Sequence, residues 1–125
     1  MKYSYLILLL ACLFLAGCQE KKIGVEGTVT RKGQPLISGT ITFTPDATQG
    51  TMQGANAITT IQDGKFTLPD KFGISGGWYK VIISGEVTVT GEGDNATAKQ
   101  EFKDYITSFE FKKDNSSPIT IDIPN

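Results

Sequence analysis

The stretch that decides the fold is Gly39-Thr40-Ile41-Thr42-Phe43-Thr44-Pro45. Its apolar Ile41 and Phe43 alternate with three threonines, and Pro45 lacks the N–H that would continue a hydrogen-bonded ladder. Alternation with a period of two residues is typical of a β-strand with one face buried and the other exposed to solvent. The stretch therefore predicts a half-buried strand that ends at Pro45.

Strand patterns of the same kind lie on both sides of this stretch. Further strands are predicted at residues 25–30, 57–61, 65–68, 78–83, 107–111 and 119–123. Turn sequences such as Asp63-Gly64 separate them. The polar segments 46–56 and 91–99 predict a mobile loop and a disordered segment, respectively. About seven short strands with frequent turns indicate an all-β fold, an antiparallel immunoglobulin-like β-sandwich.

Composition supports the same fold class and excludes some functions. The chain has 125 residues, enough for a single domain with its own core, and it contains fourteen glycines and five prolines for turns. After Cys18 the only leucines are Leu36 and Leu68, whereas β-branched residues and phenylalanine are frequent. The formal net charge is −1, and positive charge is not clustered. We therefore expect no nucleic-acid partner.

The first residues have the character of an export signal. Lys2 gives a positive start, and residues 6–15 are an apolar run too short to span a bilayer, which takes about 20 residues. Leu15-Ala16-Gly17-Cys18 follows and resembles the lipobox of bacterial lipoproteins. The alternative is an ordinary secretory signal followed by a chance cysteine.

The lipobox resemblance implies a chemistry for each of its residues. Leu15, Ala16 and Gly17 would be recognised by the signal peptidase, and the Cys18 thiol would accept diacylglycerol before a further acyl chain, such as palmitate, is added. Several acyl chains together hold a protein stably on a membrane. The predicted organisation is a signal peptide at residues 1–17, a tether at 18–24 and a β-sandwich domain at 25–125.

Two further expectations follow from the residues around Cys18. In enterobacterial lipoproteins an Asp after the cysteine retains the protein at the inner membrane, so Gln19 favours the outer membrane of the cell envelope over the inner membrane. Cys12 would leave with the signal peptide. The mature chain would then have one cysteine, with no disulfide, and its predicted membrane contact is through acylated Cys18.

The order of short motifs in the mature chain resembles a transthyretin-like or carboxypeptidase regulatory-like domain. The motifs are Val25-Glu26-Gly27-Thr28-Val29, Gly33-Gln34-Pro35-Leu36, Asp63-Gly64-Lys65-Phe66-Thr67-Leu68 and Gly77-Trp78-Tyr79-Lys80-Val81. Together with the lipobox they are similar to small lipoproteins common in planctomycetes. The resemblance covers residues 25–83 best, and it implies a transthyretin-like β-sandwich that carries no catalytic residues.

The side chains available for catalysis are few. Histidine is absent, which excludes histidine-based triads and His-ligated zinc. It also excludes the hydroxyisourate hydrolases that are similar to transthyretin, whose site uses histidines and a closing Tyr-Arg-Gly-Ser, because this chain closes with Asp122-Ile123-Pro124-Asn125. Asp46, Asp63 and Asp70 lack the spacing of a calcium loop. We therefore expect no enzymatic activity, no metal and no cofactor.

Two hypotheses for function remain open. In the first, the chain is a non-catalytic, membrane-anchored structural or interaction module. In the second, it is a surface lipoprotein that binds a carbohydrate or a peptide, with Phe72, Trp78 and Tyr105 as a stacking platform. Packing of the three rings in the core is the alternative interpretation of those residues. Neither hypothesis identifies a protein or glycan partner.

Overall fold

The computed structural model describes residues 21–112 and 118–124. Within them the chain forms strands and single-turn 3-10 helices, with no α-helix in these two ranges. The strands are β1 (Val25–Arg31), β2 (Gln34–Pro35), β3 (Ser38–Pro45), β4 (Ala57–Gln62), β5 (Lys65–Leu68), β6 (Gly77–Gly85), β7 (Val87–Thr90), β8 (Thr97–Gln100), β9 (Tyr105–Phe111) and β10 (Ile119–Ile123). The 3-10 helices are Ala47–Gln49, Asp70–Phe72 and Gly93–Asn95.

Seven strands form one curled sheet in the order β10-β1-β5-β4-β3-β6-β9, and β2 pairs with β1 beside this path. The strands β7 and β8 form a separate antiparallel hairpin. The predicted all-β sandwich of about seven strands is confirmed. One strand pair differs from the others in direction, because β10 runs parallel to β1.

The core lies on the concave face of the curled sheet and follows the predicted alternation. Ile41 and Phe43 of β3 are fully buried, as are Tyr79 and Val81 of the neighbouring β6. The Phe43 ring centroid lies 6.0 Å from that of Phe111, in an edge-to-face arrangement that suits aromatic rings. A continuous apolar core therefore closes the fold of residues 21–112 and 118–124, which include no cysteine.

Gly27 explains how β10 reaches β1. The residue lies on the buried face of β1, opposite Ile119 of β10. A Cβ atom at this position would lie 2.2 Å from the Ile119 carbonyl oxygen and 3.0 Å from the Phe66 ring. Glycine is therefore required for the close approach of the two strands.

The segment 91–99, which the sequence predicts as disordered, is part of the β7–β8 hairpin. Val87 pairs with Gln100 and Thr90 pairs with Thr97, and the turn between them contains Gly91 at φ +97° and Gly93 at φ +60°. The alternating Val-Thr-Val-Thr of β7 is a strand pattern that the polar composition of the turn obscured. The prediction of disorder here is wrong.

The hairpin is held against the sheet by the residues that follow it. The Arg31 guanidinium lies 4.8 Å from the Phe102 ring centroid and 3.8 Å from the Glu101 carboxylate. The Phe102 ring lies over Gly85, where a Cβ atom would come within 2.7 Å of it. These contacts hold the base of the hairpin, where its two strands meet the main sheet, next to the end of β6.

Candidate functional site

The predicted lipidation site lies outside the described residues. Cys18 and the peptidase recognition residues Leu15, Ala16 and Gly17 all belong to this part of the chain. The described fold begins inside the predicted tether, because Ile23 is buried and pairs with Ile74 through two backbone hydrogen bonds of 2.7 and 2.9 Å. The folded domain therefore starts within a few residues of Cys18.

Trp78 lies at one end of β6 and is half-buried. Its backbone N–H donates to the Thr51 hydroxyl at 2.8 Å, and its carbonyl oxygen accepts from the Asp46 N–H at 2.9 Å. In the register of β6 and β9 it stands opposite Glu110. Its alternation places the side chain on the convex face of the sheet, away from the core.

The structure places Tyr105 and Trp78 on opposite faces of the sheet and Phe72 on a separate 3-10 helix. Tyr105 stands opposite Ile83, about 17 Å further along β6 at roughly 3.3 Å per residue, and packs partly against the core on the other face. Phe72 is exposed on the Asp70–Phe72 helix, with the Lys71 ammonium 5.4 Å from its ring centroid. Tyr105 and Trp78 therefore cannot stack together on one sugar, and a platform of Phe72 and Trp78 stays a prediction.

The three aspartates considered for calcium lie in separate turns. The Asp70 carboxylate accepts from the Gly24 N–H at 2.9 Å, and Asp63 occupies a turn at φ +51° before Gly64. Asp46 is buried in the first 3-10 turn. In residues 21–112 and 118–124, no three acidic or cysteine side chains lie close enough together to hold a metal ion.

Asp46 is a structural cap. Its carboxylate accepts from the Thr48 hydroxyl at 2.5 Å, from the Thr48 N–H at 3.0 Å and from the Ser108 hydroxyl at 3.3 Å. The Thr48 hydroxyl, helped by the Thr48 N–H, nearby Lys80 and Ser108, lowers the pKa of Asp46 below its ordinary value, although burial acts in the opposite direction. Asp46 therefore joins the turn after β3 to β9.

The convex face of the sheet carries an open groove that sequence reasoning did not identify. A depression of about 670 Å³ lies between β3, β4 and β6 on one side and the β7–β8 hairpin on the other. A second depression of about 490 Å³ extends from it toward Phe72 and Lys22. Both include Thr42 and Ile58, so they form one surface, called the outer groove below.

A row of isoleucines crosses the convex face beside the outer groove. Ile58 of β4 stands opposite Thr42, Thr42 stands opposite Ile82, and Ile82 stands opposite Ile106 of β9. Ile58 and Ile106 are 65% and 59% exposed, which is unusual for isoleucine in a sheet. The signal in the sequence is an apolar residue at the solvent-facing position of each of these three strands.

The outer groove combines polar and apolar side chains. Its floor is made of hydroxyl groups from Thr40, Thr42 and Thr60, and its walls include Ile58 and Val87. Uncharged hydroxyls and branched aliphatic side chains provide hydrogen bonds and apolar area for a ligand. The larger depression is also lined by the carboxylates of Glu86 and Asp104, and the smaller one by the Lys22 ammonium; neither lining contains a cysteine or a histidine.

Comparison with models of protein families, with curated proteins and with solved structures found no match to this chain. In the described part of the chain, none of the helices is long and apolar enough to cross a membrane.

Proposed function

We propose that this protein is a non-catalytic, lipid-anchored lipoprotein of the cell envelope whose β-sandwich acts as a structural or interaction module. The observation that carries the proposal is Leu15-Ala16-Gly17-Cys18 at the end of the apolar run of residues 6–15. Acyl chains on Cys18 would tether the domain to the membrane surface. Gln19 favours the outer membrane as the site of anchoring.

The interaction role is supported by the convex face of the domain. The isoleucine row and the outer groove leave apolar area exposed on a sheet whose other face already supplies the core. Clustered exposed apolar residues are typical of surfaces that bind other macromolecules. Tyr105 and Trp78 lie on opposite faces of the sheet, so the carbohydrate-binding alternative has less support than a protein or peptide partner.

Acylation is tested by growing cells that express the full chain with labelled palmitate. The wild type is expected to incorporate the label and to begin at Cys18 after processing, whereas Cys18→Ala is expected to carry no label. Thr28→Ala, which changes an exposed side chain of β1 and is expressed at the same level, controls for effects of substitution alone. Label in the Cys18→Ala protein, or cleavage at another position, would contradict the proposal.

The interaction role has a separate test on the intact membrane. Ile58→Ser and Ile106→Ser remove apolar side chains that are mostly exposed, so the fold is expected to tolerate both substitutions. Chemical crosslinking of the wild type in membranes is expected to yield adducts that the double variant loses. Unchanged adducts in the double variant would contradict a role for the convex face.

A further inference from the structure

The strand β9 forms one edge of the main sheet. On one side it pairs with β6 along its whole length, from Tyr105 opposite Ile83 to Phe111 opposite Gly77, without a bulge. On the other side none of the described residues pairs with it. Seven residues of regular strand with an open side can accept another strand.

The register fixes which backbone groups of β9 face outward. The Asp46 N–H donates to the Trp78 carbonyl oxygen, so Trp78 directs its backbone groups toward β3 and Tyr79 directs its own toward β9. Phe109, opposite Tyr79, therefore directs its N–H and C=O toward β6. By alternation, the N–H and C=O groups of Ile106, Ser108 and Glu110 point away from the sheet.

The sequence of this edge lacks the usual protection against pairing. Exposed edge strands are commonly blocked by proline, by a bulge or by an inward-pointing charge. β9 reads Tyr-Ile-Thr-Ser-Phe-Glu-Phe, with no proline and no lysine. Its one charge is on Glu110, whose side chain lies on the exposed convex face. Thr107 and Phe109 lie on the core-facing side of β9. They are only half-buried because none of the described strands lies beyond this edge.

We infer that β9 pairs antiparallel with β9 of a second copy of this chain, about a two-fold axis through Ser108. In this register Ile106 stands opposite Glu110 of the second copy, and Ser108 stands opposite itself. The three outward-facing residues then form about six backbone hydrogen bonds, at two for each hydrogen-bonded pair. The two sheets become continuous, and Phe109 gains cover from Thr107 of the second copy.

Charge selects this register and this partner. Asp104 and Lys112 lie immediately beyond the two ends of β9, and both are exposed. A two-fold axis at Ser108 places Asp104 of each copy opposite Lys112 of the other, which gives two ion pairs. An axis at Thr107 would instead place Asp104 opposite Glu110, where like charges repel. The carboxylate of Asp104 is held near the strand by a 2.7 Å hydrogen bond from the Gln100 amide.

The pairing is compatible with a membrane anchor. The two-fold axis of an antiparallel strand pair is perpendicular to the sheet, so both copies present their convex face in the same direction. Lys22, four residues after Cys18 in the sequence, lines the outer groove on that face. Two anchors on one side would also raise the local concentration of the domains. The pairing itself does not depend on acylation.

Disulfide crosslinking in isolated membranes tests the register with the full chain. Cα atoms of a hydrogen-bonded antiparallel pair lie about 5.5 Å apart, within the range of a disulfide. Under mild oxidation, Ser108→Cys is expected to form at least about tenfold more dimer than Thr28→Cys, because Thr28 is exposed but lies on a strand with partners on both sides. Equal dimer from the two variants, or crosslinks of Ser108→Cys only to other proteins, would overturn the inference.

Charge exchange separates a second copy from any other partner. In the Ser108→Cys background, Asp104→Lys is expected to reduce the dimer several-fold, because it places lysine opposite Lys112. Addition of Lys112→Asp is expected to restore the dimer, because each new Lys then faces a new Asp. A double variant that remains as low as the single variant would overturn this register.

A third variant keeps the inference testable without a disulfide. Ser108→Pro removes an outward-facing N–H that the sheet does not use, so the domain is expected to fold but to sediment as a monomer in detergent. Ser108→Ala, which loses the same bond to Asp46, is expected to sediment as a dimer like the wild type. A dimeric Ser108→Pro protein would overturn the inference. Absence of palmitate on a protein that still dimerises would contradict only the proposed anchor.

Discussion

The two edges of the main sheet are built in opposite ways. β10, at one edge, is five residues long and lies between Pro118 and Pro124. Its Asp122 carboxylate accepts from the Thr30 hydroxyl of β1 at 2.8 Å. β9, at the other edge, is seven residues long and has no proline within it. Proline at the ends of a strand limits the addition of a further strand.

The two edge strands differ in how much of each is buried: β10 stabilises the core, whereas β9 is free to pair with another strand. Ile121 and Ile123 of β10 are 3% and 5% exposed, so this edge is tied to the core. Phe109 of β9 is only half-buried, although Phe111 at the end of the strand reaches the core. A sheet that protects one edge and leaves the other open directs association to the open edge.

The largest expected effect is on the protected edge. Ile121→Ala removes a side chain that is almost completely buried, and it is expected to lower the free energy of unfolding by about 3 kcal/mol. Phe109→Ala in dissociated protein is expected to cost about half as much, because much of its ring is already in contact with solvent. Urea unfolding followed by fluorescence of Trp78 measures both values, with Thr120→Ala as the exposed control. A larger loss for Phe109→Ala would reverse the comparison.

A smaller effect is expected from Gly27→Ala, which acts on the contact between β1 and β10. The added methyl group would collide with the Ile119 carbonyl oxygen and force the strands apart. Overpacking of this kind costs about 2 kcal/mol. Thr28→Ala, one residue further on the exposed face, is expected to stay within about 0.5 kcal/mol of the wild type. Equal stability of the two variants would show that β10 does not require the glycine.

The smallest expected effect concerns Asp46, behind the open edge. Hydrogen bonds from Thr48 lower its pKa in the folded protein below the ordinary value of 3.8. The unfolded chain therefore takes up a proton more readily, so this stabilisation is present above the ordinary value and is lost as the pH falls below it. The unfolding midpoint of Asp46→Asn is expected to fall less steeply below about pH 4 than that of the wild type.

Thr48→Ala provides the matched variant for the pH experiment. It removes the hydroxyl donor but keeps the Asp46 carboxylate and the backbone N–H donor, so its pH dependence is expected to lie between those of the other two proteins. Thermal unfolding at a series of pH values measures all three. If the unfolding midpoint of Asp46→Asn depends on pH as strongly as that of the wild type, the prediction is wrong and other groups cause the pH dependence.

The sequence predicted most of the fold because its strands have one buried face. Ile41 and Phe43 alternate with threonines, Tyr79, Val81 and Ile83 share one face of β6, and the structure buries all five. The hairpin of β7 and β8 was missed because all eight of its residues are exposed. The Val-Thr alternation of β7 is not repeated in β8, which reads Thr-Ala-Lys-Gln, because a two-stranded ribbon has no buried face that requires it.

The candidate site was less accessible to sequence reasoning, since it depends on register. Ile58, Ile82 and Ile106 come from three strands, and only the pairing of β4, β3, β6 and β9 places them in one row. The predicted aromatic platform also depends on which face of the sheet each residue occupies. Trp78 and Tyr105 lie on adjacent strands, but they belong to opposite faces of the sheet.

The parallel pairing of β1 with β10 sets the order in which the domain can fold. Val29 of β1 pairs with Ile121 of β10, the last strand of the chain. β1 therefore lacks this neighbour until nearly all of the described residues have been synthesised. Contacts between such distant residues form slowly, because a long loop must close first. If the chain is exported as proposed, the edge formed by β1 and β10 would therefore close only after almost all of the domain has crossed the membrane.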